Sequence, residues 1–252
     1  MRVLRAGGRA LADLVLPRTC GGCGVPGAVL CDRCARWLTR PRLAQPRRHP
    51  PGFPPTVAAG AYAGPVRPAV LAFKEHGRAE LAGPLGTALA LAVAAVLGGV
   101  PGSGGPVLLV PVPSSAAAVR RRGRDHVREL ADAAAAELRA AGVPARTARL
   151  LGRSRGRRVR DSAGLDAVAR RANVAGRFTS RERAGVPGGC QVVLVDDVVT
   201  SGATLTEAAR ALLDTPHGRE DTPVLGAVVA ATPRRQPARR AGSPPGVFTV
   251  RS

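Results

Sequence analysis

Lysine is nearly missing from this chain: of 38 basic residues in 252 positions, only Lys74 is a lysine. A formal charge of +21 would otherwise suggest a nucleic-acid partner. An arginine excess accompanied by abundant Ala, Gly and Pro is instead what GC-rich codon usage produces, so the net charge by itself establishes no polyanionic ligand. Aromatic residues are also scarce, with one Tyr, one Trp and four Phe. That leaves little for stacking a nucleobase, and no aromatic hood is readable. An export signal is missing too. Arg2, Arg5 and Arg9 precede a short apolar segment, but Asp13 interrupts it and Pro17-Arg18-Thr19 does not resemble a cleavage site, so a cytoplasmic protein is expected. The stretch 81–100 carries no charge over twenty residues, with Gly83, Pro84, Gly86, Gly98 and Gly99 at its ends and an alanine-rich centre. A buried helix over about 87–97 is expected there, with no membrane span. No internal repeat is visible, and 45% hydrophobic residues exclude a disordered chain.

What is present divides into three parts. Residues 1–40 hold four of the five cysteines, 41–55 read "PRLAQPRRHPPGFPP", and 56–252 alternate strand and helix patterns. The proline density of 41–55 suits a linker and excludes a helix or a central strand. In the third part "VLLVPV" (107–112), "QVVLVDD" (191–197) and "VLGAVVAA" (224–231) are expected strands, and "ARTARLL" (145–151) a further one. Asp125 is placed to cap a helix that buries Val127, Leu130, Ala131, Ala134 and Leu138, and "TLTEAARALL" reads as another helix. Such alternation predicts an α/β fold with a parallel sheet flanked by helices.

Cys20, Cys23, Cys31 and Cys34 form two C-x-x-C pairs with seven residues between them, and Gly21, Gly22 and Gly24 allow tight knuckles. Tetrahedral thiolate ligation by this small module fits structural zinc, with two disulfides or an iron–sulfur cluster as the alternatives. Cys190 reads as a small core residue. Trp37, Arg33, Arg36 and Arg40 next to the module either meet nucleic acid or a protein partner, or form a solvated basic face.

In "VVLVDDVVTSGAT" (192–204) a buried strand runs into Asp196 and Asp197, then into Thr200, Ser201, Gly202, Ala203 and Thr204. Ligands of parallel α/β sheets bind beyond the carboxyl ends of the strands. Small residues leading into a helix N-terminus offer N–H groups, hydroxyls and the helix dipole to a phosphate. Thr204 and Glu207 also read as a capping box, which would explain the last residues of the stretch but not the paired acids. A sugar phosphate suits both features, with hydroxyls on the carboxylates and phosphate in the turn. No lysine follows Gly202, which excludes a nucleoside-triphosphate loop of the G-x-x-x-x-G-K type.

This stretch resembles the phosphoribosyl pyrophosphate motif of type I phosphoribosyltransferases. "LAFKEHGR" (71–78), "PVPSSAAAVRRRGRDHVRELA" (111–131) and "GLDAVARRANVAGRF" (164–178) extend the resemblance over most of the chain to the ComF family, which joins a zinc head to a type I phosphoribosyltransferase domain. Asp125 and Ser162 depart from it, standing where the family often has asparagine and glutamine. The resemblance implies a type I phosphoribosyltransferase fold. It also implies ribose hydroxyls on Asp196 and Asp197, the 5′-phosphate on Thr200 to Thr204, and Mg²⁺ with the diphosphate. Relatives are associated with DNA uptake, so single-stranded DNA or a competence helicase is an expected partner, and a homodimer is compatible with it. Relatives acting on 6-oxopurines carry an acid at the position of Thr200. Threonine is no general base at neutral pH, so those acceptors are not expected.

The chemistry implied is displacement of diphosphate from ribose C1, which needs cations on the diphosphate and exclusion of water. Pro113, Ser114 and Ser115, with Lys74, are the candidate diphosphate contacts. Arg153, Arg155, Arg157, Arg158 and Arg160 lie in "GRSRGRRVRDSAG" (152–164), which reads equally as a cationic lid or as a basic surface loop.

Overall fold

The structure, a computed structural model, describes residues 18–46, 50–100, 104–154, 176–181, 189–214 and 223–233. Ser162, Arg155, Arg157, Arg158, Arg160 and most of 164–178 lie outside the described residues. The three clearest expected strands form: β3 (Val107–Pro111), β7 (Gln191–Val199) and β8 (Val224–Ala231). With β1 (Arg42–Leu43), β2 (Thr56–Ala61) and β4 (Ala145–Thr147) they make one sheet in the order β1-β2-β8-β7-β3-β4. All neighbours in it are parallel except β1 against β2. The mostly parallel α/β architecture is therefore as expected.

Six helices accompany the strands among the described residues: α1 (Asp32–Ala35), α2 (Val66–Glu75), α3 (Ala82–Gly98), α4 (Ala116–Arg122), α5 (His126–Ala140) and α6 (Ala203–Leu213). Alternation along the strands splits the core in two. Leu109, Val193, Val195, Leu225 and Ala227 pack with α2, α3 and α5 on one face. Leu108, Val110, Val192, Leu194 and Val228 pack with Leu205, Ala208 and Ala209 of α6 on the other. Asp125 does cap α5, accepting from Arg128 N, and the five apolar residues expected on that helix are buried. Residues 79–98 have the length and apolar composition to cross a membrane, yet Leu85, Leu89 and Val93 are buried in the first core cluster.

"ARTARLL" does not make one strand. After β4 the chain makes a last sheet bond, Ala148 N to Leu109 O, and leaves. Leu150 and Leu151 then bury against the α6 side, where β5 (Leu151–Arg153) pairs antiparallel with β6 (Phe178–Ser180). Burial on the opposite face draws this segment out of the sheet.

Part of 41–55 joins the sheet as the two-residue edge strand β1, where proline is tolerated. The cysteine module also rests on the sheet domain. Leu38 is buried in the first core cluster, and Val29 and Leu30 pack against it. Arg78 donates to Thr19 O at 2.7 Å. A Cβ on Gly60 of β2 would stand 2.4 Å from Trp37 O, so only glycine permits this approach.

Candidate functional site

Strands β3 and β7 lie side by side at the centre of the sheet, and the chain leaves them in opposite directions. From β3 it crosses by α5 to β4, and from β7 by α6 to β8. Where the winding reverses, the loops beyond the strand ends part, and ligands bind in that crevice. A cleft of about 540 Å³ lies there, a volume suited to a small molecule. It is lined by Lys74, Pro113–Ser115, His126, Arg153, Arg177, Asp196, Asp197, Thr200 and Thr204, among others.

The two aspartates do not follow the strand; they belong to it. β3 stops opposite Val195, whereas β7 continues along β8 as far as Val199 opposite Ala231. Asp196 and Asp197 therefore occupy the stretch of β7 that has lost its β3 neighbour, which opens them to the cleft.

Their environments differ. Asp197 is buried, with Lys74 Nζ 2.6 Å and His126 Nε2 3.2 Å from its Oδ2, while its Oδ1 accepts from Val198 N. Burial alone would raise its pKa, but the His126 hydrogen bond and the Lys74 charge outweigh it and hold the carboxyl far below the usual range. Burial likewise opposes the charge on Lys74, and Asp197 and Asp196 more than restore it. Asp196 accepts only from Asp197 N, at 2.8 Å, and has no ion pair among the described residues. Although one edge faces the cleft, enclosure and the neighbouring Asp197 charge push its pKa up to about 8. Asp197 is thus fixed within the protein, and Asp196 is the acid left for a ligand.

His126 was not singled out in the sequence, although it directly follows the Asp125 cap and lies four residues before buried Leu130. Its Nδ1 is 3.5 Å from Arg122 Nη1, and a guanidinium can only donate. On its other side Nε2–H donates to the Asp197 carboxylate, which can only accept. Arg122 also pairs with Glu75, 2.6 Å away. A polar chain consequently runs from Glu75 through Arg122 and His126 to Asp197 and Lys74, joining α2, α4, α5 and β7 along the cleft.

The turn after β7 delivers the chain into α6. Gly202 is the N-cap with φ 76°, and a Cβ there would stand 2.8 Å from the Phe53 ring. As a glycine, Gly202 offers no side chain to cap the helix, and no cap hydrogen bond forms among the described residues. The expected capping box does not form, because Thr204 already lies inside the helix. Glu207 instead accepts from Gly176 N at 2.6 Å and pairs with Arg210 at 2.7 Å. Of the predicted phosphate contacts, Thr200 and Thr204 line the cleft, whereas Ser201, Gly202 and Ala203 are not among its lining residues.

Scanned against protein-family models the chain matches none, and a search of curated proteins returns no match.

On the other side of the cleft, Ser115 Oγ caps α4, accepting from Ala118 N at 3.1 Å, and Pro113 O accepts from Arg153 Nη1 at 3.3 Å. Lys74 lines the same cleft as Pro113, Ser114 and Ser115, and there it is paired with Asp197.

A second cluster lies in the N-terminal module. The sulfurs of Cys20, Cys23, Cys31 and Cys34 all fall within 4.8 Å of one another. All five cysteines are unbridged, and Cys190 is buried in the second core cluster. A zinc–sulfur bond of about 2.3 Å in tetrahedral geometry requires S···S of about 3.8 Å. Cys23 Sγ and Cys31 Sγ are 3.7 Å apart. Burial works against a charged Cys20, but N–H groups from the knuckle, Cys31 N at 3.3 Å and Gly22 N at 3.4 Å among them, bring its pKa down to about 6. Four sulfurs so placed can hold a metal ion.

Proposed function

We propose that this protein is phosphoribosyltransferase-like, with a type I phosphoribosyltransferase fold of the ComF kind, and that its cleft binds phosphoribosyl pyrophosphate. One observation supports the reading: an acid without an ion pair among the described residues, Asp196, and the turn residues Thr200 and Thr204 that lead into α6 line the same crevice at the β3–β7 reversal. A ribose 5-phosphate needs both, hydroxyl acceptors next to a phosphate cradle. Asp196 is also the hard oxygen donor that suits Mg²⁺, which would neutralise charge on the diphosphate. Zinc is the proposed occupant of the cysteine cluster, in a cytoplasmic protein. The acceptor is open, and release of diphosphate across a panel of acceptors would read turnover separately from binding.

Phosphoribosyl pyrophosphate with Mg²⁺ should raise the melting temperature through linkage to the folded state. At about pH 9, where Asp196 is ionised, Asp196→Asn should weaken its binding by roughly tenfold or more, the difference between a charge-assisted and a neutral hydrogen bond. Thr204→Val should weaken it too. Equal calorimetric affinity for wild type and Asp196→Asn would sink the assignment of ribose to this acid.

A second reading, a zinc-headed adaptor for single-stranded DNA, is favoured by Trp37, which is 48% exposed beside exposed Arg33, Arg36 and Arg40. Stacking and phosphate contacts of that kind predict binding that falls steeply as salt is added. Binding that ignores salt, or survives Trp37→Ala unchanged, would remove this face from consideration.

A further inference from the structure

The cleft contains two arginines that none of the readings above needs as a pair. Arg153 ends β5, and Arg177 stands immediately before β6, where Ser154 N donates to Arg177 O at 2.9 Å. Both line the cleft. The other long cations lining it, Lys74 and Arg122, are paired with Asp197 and Glu75. Among the described residues no carboxylate pairs with Arg153 or Arg177.

We infer that Arg153 and Arg177 form a second oxyanion subsite, which takes a doubly charged phosphate-type group at the hairpin side of the cleft.

The strongest ground is Arg177. Its Nε and Nη2 are enclosed and meet no acceptor among the described residues. Enclosed guanidinium N–H groups without acceptors are costly, and proteins ordinarily supply partners for them. An oxyanion in the cleft that Arg177 lines would supply the counter-charge that its guanidinium lacks among the described residues. Arg153 is held from two sides, by Nη1 donating to Pro113 O and by its guanidinium lying 5.7 Å from the Phe178 ring centre. The two charges also work against each other. Burial first, and then the neighbouring Arg177 charge, lower the pKa of Arg153. Like charges gathered without a counter-charge are stabilised by an anion, and two planar forks match the oxygens of a phosphate or diphosphate.

The hairpin is anchored to the proposed phosphate turn. Buried Glu207 of α6 holds Gly176 N, directly before Arg177. An anion on Arg177 and a phosphate at the start of α6 would thus be positioned by one connected unit. The identity of the group rests on the proposed function: it is either the diphosphate of the donor or a phosphate carried by the acceptor.

Calorimetric titration of the full chain with inorganic pyrophosphate and, separately, ribose 5-phosphate, both without Mg²⁺, tests the subsite. Arg177→Gln should weaken pyrophosphate binding by about tenfold to a hundredfold, the loss of one or two charge-assisted hydrogen bonds. It should leave ribose 5-phosphate affinity unchanged, and Arg177→Lys should restore part of the loss. The ligand-free Arg177→Gln protein should melt no lower than wild type, because a repulsion has been removed. Pyrophosphate excluded by saturating phosphoribosyl pyrophosphate would mark the subsite as the donor's, whereas pyrophosphate still binding would mark it as the acceptor's. The inference is overturned if wild type does not bind pyrophosphate at millimolar concentration, or if Arg177→Gln and Arg153→Gln bind it as wild type does. Failure of the donor reading looks different: pyrophosphate binding would depend on Arg177 while ribose 5-phosphate ignored Asp196.

Discussion

Replacing two adjacent aspartates by asparagine is expected to move stability in opposite directions. Asp197→Asn removes the partner of Lys74 and the acceptor of His126 Nε2–H, leaving a largely enclosed ammonium uncompensated. Breaking a buried ion pair from one side costs about 3 kcal/mol, or roughly 6–12 °C in Tm for a domain of this size. Asp196→Asn should do the reverse. In the folded chain Asp196 titrates near 8, against about 4 when unfolded. Between those values the folded state holds a proton that the unfolded state has lost, so stability falls as pH rises. A neutral amide escapes that loss. With allowance for the side open to the cleft, Asp196→Asn should gain on the order of 1–3 kcal/mol at pH 8 and nothing near pH 4. The Asp197 contribution has the other sign, being present above about pH 4 and fading as acid protonates the carboxylate.

Melting curves of the two variants at about pH 4.5 and pH 8 decide this. Loss of stability in both at pH 8 would show that Asp196 is held by the fold as firmly as Asp197. A gain in Asp196→Asn accompanied by weaker phosphoribosyl pyrophosphate binding would have a clear meaning: the fold tolerates an unfavourable carboxyl for the sake of a ligand.

The difference between these neighbours could not be read from the chain. The sequence shows two equivalent acids after an apolar run. What separates them is contact with Lys74, 123 positions away, and with His126, 71 positions away. The strands that carry the site were legible, because Val107–Pro111, Val224–Ala231 and the Val192–Val195 part of β7 are buried and read as unbroken apolar runs. β2 was not, since Thr56–Ala61 is mostly alanine and glycine and follows five prolines within 46–55. The capping box misled for a related reason. Local spacing suited Thr204 and Glu207, but a distant backbone N–H at Gly176 claims the carboxylate. Arg177 was passed over because arginine is so common here that one more carries no signal, and only its enclosed, unpartnered nitrogens mark it out.

The cysteine module shows how far a local motif reaches once folded. Its four thiols were legible as a ligand set, and on sequence alone loss of the metal would loosen only a head beyond a linker. The structure ties that head to the sheet domain. A Cβ on Gly21, within the first knuckle, would stand 2.8 Å from Leu81, a fully buried core residue, and Leu38 lies in the same core cluster. Structural zinc contributes about 10–16 kcal/mol to the folding of small finger peptides, an upper bound here because the sheet domain already covers part of the module. Cys34→Ser, at a buried ligand position, should therefore abolish the one zinc expected per chain and lower Tm by on the order of 10 °C or more. Chelation of wild type should do the same. Unfolding should remain a single transition, since Leu81, Val29 and Leu30 would lose their packing together with the knuckle. Elemental analysis with calorimetry checks both parts. Protein that carries no zinc as purified and melts unchanged after chelation would remove the metal, whereas a separate low-temperature transition ahead of an unmoved main one would keep the metal and remove the coupling.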